Sequence, residues 1–320
     1  MSIKNKKILI TGGCGYVGSM LTELLLKKKY SVTIIDTQWF GNVMKKTKKL
    51  DIIKMNISNI NKLNLKKFST IIHLANIAND PAAELNPKLT WEVNVLFMDK
   101  LIKHAVKCGV KKFIYASSGS VYGLKKEKKV TENLSLVPIS DYNKSKMIAE
   151  RVLTSYKDKI KIYSIRPATV CGYSKNMRLD VTVNMFVYQA IAKKTMTIFG
   201  GNQVRPNIYI LDLCRVFVHF LEKNLKPGFY NAGFENLKII DVAKKILKKT
   251  KCKIKILKKT NDPRSYRQDS TKLLKTGFKP NFNVDYAIKE LINNFKLKKV
   301  KVTQNLFRVK YMKKFILKNE

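Results

Sequence analysis

Two clusters in the chain hold side chains whose types and spacing can do chemistry. The first is Thr11-Gly12-Gly13-Cys14-Gly15-Tyr16-Val17-Gly18, which satisfies GxGxxG through Gly13, Gly15 and Gly18. Where such a turn joins a strand to a helix, side chains at the glycines would block the tight turn, the approach of a pyrophosphate, or helix–strand packing. The helix that follows offers free N–H groups and the positive end of its dipole to phosphates. Asp36 closes the next apolar run, at the separation from the glycines where a ribose-binding acid belongs. A carboxylate there accepts from both hydroxyls of an adenosine ribose and repels a 2′-phosphate. No Arg or Lys follows before Lys45, so the pattern predicts NAD and not NADP.

The second cluster is Tyr142-Asn-Lys-Ser-Lys146 at the start of a helical stretch. Spacing of i, i+4 puts the phenol and the ammonium on one helix face. A free tyrosine, with a pKa of about 10, is a poor base at neutral pH, and a neighbouring cation lowers that value. With a hydroxyl donor alongside, such a tyrosine can remove or return the proton of a substrate hydroxyl. A donor is at hand in Ser118 of Ala116-Ser117-Ser118-Gly119-Ser120-Val121-Tyr122-Gly123, at the end of the strand that precedes this helix.

Both clusters need a sheet to position them. Stretches 7–11, 31–36, 51–56, 70–74, 112–117 and 161–167 read as short, continuously apolar strands, which suits parallel strands covered on both faces. Stretches 16–28, 87–108 and 141–156 between them have helical spacing. Alternating βα units specify a doubly wound parallel sheet, and ligands gather at the carboxyl ends of its strands. Beyond Pro167 the pattern changes: a helix over 181–193, the turn Phe199-Gly-Gly-Asn202, a strand over 206–211 and a helix over 212–223. A turn-rich Lys226-Pro-Gly228 leads into a second mixed region that runs to about residue 295. Residues 296–320 hold nine basic residues and one acid, with Leu306, Val309, Met312 and Ile316 at helical intervals. They predict a helix that is docked or frayed, or one that lies on a membrane surface or a partner.

Composition narrows the class. At 320 residues, 45% hydrophobic and 27% charged, the chain is expected to fold around a sizeable core. Its apolar runs fall short of the ~18 residues of a membrane span. The basic start, Met1 to Lys7, is followed only by Ile8-Leu9-Ile10 before the glycines, so a secretory signal is not expected and the cytoplasm is. The 64 basic residues exceed the 22 acidic ones by 42. Only eight of them are Arg, and the Lys are spread over every segment, which fits a solvated surface better than a nucleic-acid-binding stripe. Five scattered Cys without a CxxC fit a reducing compartment and predict neither disulfides nor zinc. His73, His104 and His219 are too far apart for a helix-borne metal pair, and no metal is expected.

Taken in order, the glycine turn, Asp36, His73-Leu74-Ala75, Asn94, Ser-Ser-Gly-Ser-Val-Tyr-Gly and Tyr142xxxLys146 resemble the extended short-chain dehydrogenase/reductases. The likeness is greatest to their NAD-dependent nucleotide-sugar epimerase/dehydratase group, of the UDP-glucose 4-epimerase kind. The resemblance runs from Lys6 to about residue 295. It implies Ser118 as catalytic hydroxyl, Tyr142 as general base and acid, and Lys146 as the residue that holds the nicotinamide ribose and tunes Tyr142. It assigns Gly12, Gly15, Tyr16, Val17, Gly18, Asp36, Asn56, Ile57, Leu74, Ala75, Asn94, Ser117 and Pro167 to the cofactor, together with Tyr142 and Lys146. Asn56 stands where the family usually has Asp, and Asn76 replaces the second small residue of HLAA. For the nucleotide-sugar substrate it implies Ser118, Asn184, Phe199, Arg205 and Arg264, the two arginines suiting a pyrophosphate by their planar, bidentate donors. Arg267 lies in the same later segment, Asp262-Pro-Arg264-Ser-Tyr266-Arg267.

The implied architecture is a Rossmann-type NAD domain over 1–170 with 206–226, and a smaller discontinuous α/β substrate domain over 171–205 and 227–295. Residues 296–320 form a basic extension. Relatives commonly dimerise through helices corresponding to 87–108 and 141–156, so a homodimer is expected. Departures bear on the reaction. Sugar-nucleotide 4,6-dehydratases carry an acidic pair just after the catalytic hydroxyl, where this chain has Gly119 and Ser120. Decarboxylating relatives keep the Glu of that pair. Oxidation and reduction without elimination is therefore expected: an epimerase acting at C4, or a ketosugar reductase or dehydrogenase using NAD(P)H. Thr169 stands where UDP-hexose epimerases generally have Asn, which leaves the sugar open. From a different class, a non-catalytic dinucleotide-binding or nucleic-acid-associated protein would be expected to lack Tyr142 or Lys146.

Overall fold

The computed structural model describes residues 7–257 and 265–316. Its strands are β1 (Lys7–Thr11), β2 (Val32–Asp36), β3 (Leu50–Lys54), β4 (Phe68–His73), β5 (Lys112–Ala116), β6 (Lys161–Pro167), β7 (Thr169–Cys171), β8 (Thr195–Phe199), β9 (Val204–Tyr209), β10 (Gly228–Ala232), β11 (Glu235–Lys238) and β12 (Lys253–Leu257). Seven of them form one sheet in the order β10-β6-β5-β4-β1-β2-β3, every neighbouring pair parallel. The chain starts in the middle, winds to one edge, then crosses back from β3 to β4. The carboxyl ends of β1 and β4 therefore flank a crevice from which the connections leave in opposite directions, where this fold binds ligands.

Side-chain alternation divides the interior in two. Ile8, Ile10, Ile34, Ile72 and Ile114 face one core, while Leu9, Ile35, Ile71, Phe113 and Tyr115 face the other. Successive strand residues point to opposite faces, so a strand covered on both sides must be apolar at every position. The covering helices show the complementary period. Phe97–Lys107 buries Met98, Leu101, Ile102 and Ala105, and Val284–Lys296 buries Val284, Ala287, Ile288 and Leu291. Both sets follow the i, i+3, i+4, i+7 stripe of a helix with one apolar face.

The second half adds two small sheets, β11-β9-β7 and β12-β8. Residues 227–295 are expected from sequence in the substrate domain, but Gly228–Ala232 is the seventh strand of the large sheet, parallel to β6. Its Tyr230, Asn231 and Ala232 are buried, whereas the neighbouring turn signals are also those of a separate region. The helical stretch 87–108 is continuous in space but carries a π-turn, Glu92–Leu96, between Pro87–Trp91 and Phe97–Lys107. The last described helix, Arg308–Ile316, is docked: Leu306 just before it and Met312 within it are buried. No helix among the described residues is long and apolar enough to cross a membrane.

Candidate active site

The groove beside the glycine turn follows from local sterics. Gly12 has φ +75°, and a Cβ there would lie 2.6 Å from the backbone nitrogen of Ala75 at the end of β4. A Cβ on Gly18 would come within 2.3 Å of the Gly12 carbonyl oxygen. The turn thus brings β1, β4 and the helix Tyr16–Lys27 into backbone contact. That helix begins at Gly15 with no side-chain cap, so its first N–H groups are left for a ligand. Gly12, Gly15, Tyr16, Val17, Gly18, Asp36, Asn56, Ile57, Leu74 and Ala75 all line one groove. Asp36 ends β2 with its carboxylate accepting from the Cys14 N–H at 3.0 Å and the Gln38 N–H at 2.7 Å. Burial pushes its pKa up, while those two N–H groups and the charge of Arg308 pull it down. The Cys14 thiol, pushed up to about 12 by burial and the Asp36 charge, is no nucleophile at neutral pH.

The second cluster assembles at the end of β5. Ser140 caps the helix Asp141–Thr154 by accepting from the Asn143 N–H, which fixes where Tyr142 and Lys146 enter the sheet edge. Lys146 is 2% exposed and its Nζ donates to the Ala116 carbonyl at 2.7 Å. The same nitrogen lies 5.8 Å from the centroid of the Tyr142 ring and 4.8 Å from that of Tyr115. Burial pushes Lys146 down to about 7, with the Glu150 charge acting in the opposite sense. Ser118 follows Ala116 closely. Its Oγ pairs with Ser120 Oγ at 2.7 Å and accepts from the Ser120 N–H at 3.1 Å.

Beneath them lies a buried polar network. Arg166 on β6 grips Glu150 with two N–H donors, at 2.9 and 2.7 Å, and its third reaches Tyr122 Oη at 2.8 Å. Ser117 Oγ donates to Glu150 at 2.6 Å. This network locks β5, β6 and the Tyr142 helix side by side.

Residues 8–233 match the model of the NAD-dependent epimerase/dehydratase family. The chain belongs to that family. A UDP-glucose 4-epimerase of Lactobacillus helveticus is 28% identical over 316 residues, which cover 88% of this chain and 94% of that protein. The fold is shared with the UDP-glucose 4-epimerase of Thermus thermophilus solved with NAD, at a TM-score of 0.80 and 22% identity over 91% of this chain and 99% of that one. An NAD-dependent NDP-hexosamine 5,6-dehydratase of tunicamycin biosynthesis superposes with a TM-score of 0.84 at 22% identity, covering 91% and 98%. The fold therefore spans more than one reaction. The chain is an NAD-dependent enzyme of nucleotide-sugar chemistry, as the motif order implies.

The residues present fit the family's coenzyme. Side chains at Gly12, Gly13 and Gly18 would clash, Asp36 ends β2 on the groove, and Asn76 lines the groove with both carboxamide atoms buried and without a hydrogen-bond partner among the described residues. Asn94, Ser117, Tyr142, Lys146 and Pro167, also expected at the coenzyme, are not among the residues that line the groove. Asn94 is wholly buried and hydrogen bonds both backbone groups of Ile77, so it holds the groove wall and does not face the groove. The Ser117 hydroxyl is committed to Glu150, and Pro167 ends β6 outside the groove lining.

Among substrate candidates, Asn184 lies wholly inside the protein. Its oxygen accepts from the Gly172 N–H at 3.0 Å and its nitrogen donates to Tyr16 Oη and the Arg178 carbonyl. Being 0% exposed, it braces the 172–178 loop. Phe199 ends β8 and is 53% exposed, and Arg205 sits half-buried on β9 opposite Leu237. Arg264 lies outside the described residues.

Sequence reasoning missed Trp39, Phe40, Arg178, Arg308 and Met312, all of which line the groove. Arg178 and Arg308 lie far downstream of Asp36, so a search for cations just after that carboxylate could not meet them. The scarcity of arginine was the available signal: with only eight in the chain, each carries more information than any Lys.

Proposed function

We propose that the protein is a nucleotide-sugar 4-epimerase that keeps its NAD through the cycle. The observation that carries this reading is the hydrogen bond from Lys146 to Ala116, which sets Lys146 and Tyr142 beside the strand end that bears Ser118. Bound NAD supplies a hydride acceptor and donor at the sugar carbon. Tyr142 takes the proton of the sugar hydroxyl and later returns it, and the Ser118 hydroxyl donates to the same sugar oxygen. Lys146, charged at and below about pH 7, favours the phenolate of Tyr142.

What distinguishes this reading from elimination is the stretch after Ser118. A Cβ on Gly119 would lie 3.1 Å from Gln268 Nε2 and 3.2 Å from the Pro167 carbonyl oxygen. Position 119 therefore has little space for the acid that a dehydratase needs, and the Ser120 hydroxyl is paired with Ser118. Phe199 and Arg205 would meet the nucleotide part of the substrate, in keeping with the UDP-glucose named for the Lactobacillus relative. A homodimer through the helical stretches 87–108 and 141–156 belongs to the same reading, and Leu96, 56% exposed on the first of them, supports it.

The test is to incubate the NAD-loaded protein with UDP-glucose and UDP-N-acetylglucosamine and follow the sugar by NMR. Interconversion of C4 epimers with constant absorbance of the reduced nicotinamide is expected. Stoichiometric consumption of added NADH would instead identify a reductase, and loss of water a dehydratase.

A further inference from the structure

We propose that the helix Arg308–Ile316 is part of the coenzyme site, with Arg308 as a second-half cation that grips the anionic diphosphate side of NAD and Met312 as the apolar wall beside it. The proposal rests on the NAD assignment and adds to it residues that lie far beyond the 8–233 stretch matching the family model. Both side chains line the same groove as the glycine turn and Asp36.

The placement is built, not incidental. Arg308 is 4% exposed, and none of its contacts among the described residues is an ion pair with a carboxylate. Its Nη2 donates to Asn176 Oδ1 and, at 3.0 Å, to the Met177 carbonyl, and its guanidinium stacks 4.3 Å from the Phe40 ring centroid. Asn176 in turn donates to the Cys14 carbonyl at 2.6 Å, so two links tie the cation to the glycine turn. The helix is fixed as firmly: the Val309 N–H donates to Asp180 at 3.1 Å, and Met312 packs with Ile77, Ala82 and Ala83.

A buried guanidinium that receives only neutral acceptors is unfavourable until an anion reaches it. Burial pushes its pKa down to about 10, with Arg178 adding to the effect and the Asp180 and Asp36 charges opposing it. Arg178, itself paired with Asp180 at 2.6 Å, puts a second guanidinium on the groove. A dinucleotide brings the missing charge as its diphosphate, for which a planar donor fork is well suited.

The readout is coenzyme release, not turnover. The full chain is loaded with NAD, freed of excess, and its dissociation followed by exchange with fluorescent etheno-NAD. Arg308→Gln is expected to release NAD at least about tenfold faster, and Arg308→Lys to fall between it and the natural protein. Unchanged release from an Arg308→Gln protein whose coenzyme-free melting temperature equals that of the natural protein would overturn the proposal. Should that variant fail to fold, the natural protein serves: Lys310, Lys313 and Lys314 are exposed on the helix, and saturating NAD should slow tryptic cutting there. Cutting at an unaltered rate would overturn the proposal equally. A protein that took up no NAD would sink the coenzyme assignment with it, whereas tight binding indifferent to Arg308 would sink this inference alone.

Discussion

In the proposed mechanism, Lys146 is the residue on which the chemistry turns. It is charged, 2% exposed, and offered one carbonyl in place of its water shell, so its affinity for a proton falls to the neutral range. In that mechanism its partner is Tyr142, and Tyr142→Phe should lower kcat by about 100-fold or more. Turnover at the natural rate would remove the tyrosine from the mechanism. His73, at the end of β4, behaves oppositely to a pH switch. Burial, with the Lys146 charge, pushes it down to about 3, and Thr11 Oγ1 holds its Nδ1 at 2.6 Å. Unfolded, it takes a proton near 6.5. Between those two values the unfolded chain binds more protons than the folded one, so stability falls as pH falls. At pH 5 the expected contribution is on the order of 2 kcal/mol. Urea unfolding of the natural protein and His73→Asn at pH 7 and 5 checks this: the variant should lose less between the two, and equal losses would exclude His73 as the source.

At the scale of elements, the end of β5 is held by a charge pair with no water to dilute it. Glu150, on the Tyr142 helix, meets Arg166 on β6 at 2.7 Å, their side chains 1% and 3% exposed. Glu150→Ala strands a buried cation and is expected to cost about 3–5 kcal/mol. Denaturant titration measures it, and a loss below about 1 kcal/mol would mean that water reaches Arg166. The parallel strands were legible because two-faced burial writes itself as short runs rich in β-branched and aromatic residues. The glycine turn and the Tyr142–Lys146 pair were legible because their chemistry is local in sequence. Three features were not. β10 is a strand whose partner, β6, lies well upstream across two α-helices and three other strands, and nothing in Gly228–Ala232 names that partner. Asn184 has a hydrogen-bonding side chain whose use depends on a loop that precedes its helix. Arg308 reaches the groove only through tertiary packing, and a helix with Lys on its outer face reads equally well as frayed.

For the whole molecule, a net formal charge of +42 opposes compaction. Salt shortens the range of that repulsion to about 8 Å at physiological strength. Raising NaCl from low to physiological concentration should therefore raise the melting temperature, by roughly 2–4 °C for each kcal/mol of repulsion relieved. Scanning calorimetry decides, and a falling melting temperature would mean that attractive pairs dominate the surface. The groove itself is a property of the entire polymer, since its lining runs from Gly12 to Met312. On the ribosome, the phosphate-holding turn emerges early, while the wall at Arg308 and Met312 is translated long afterwards. A nascent chain thus passes through a long interval with a half-built berth.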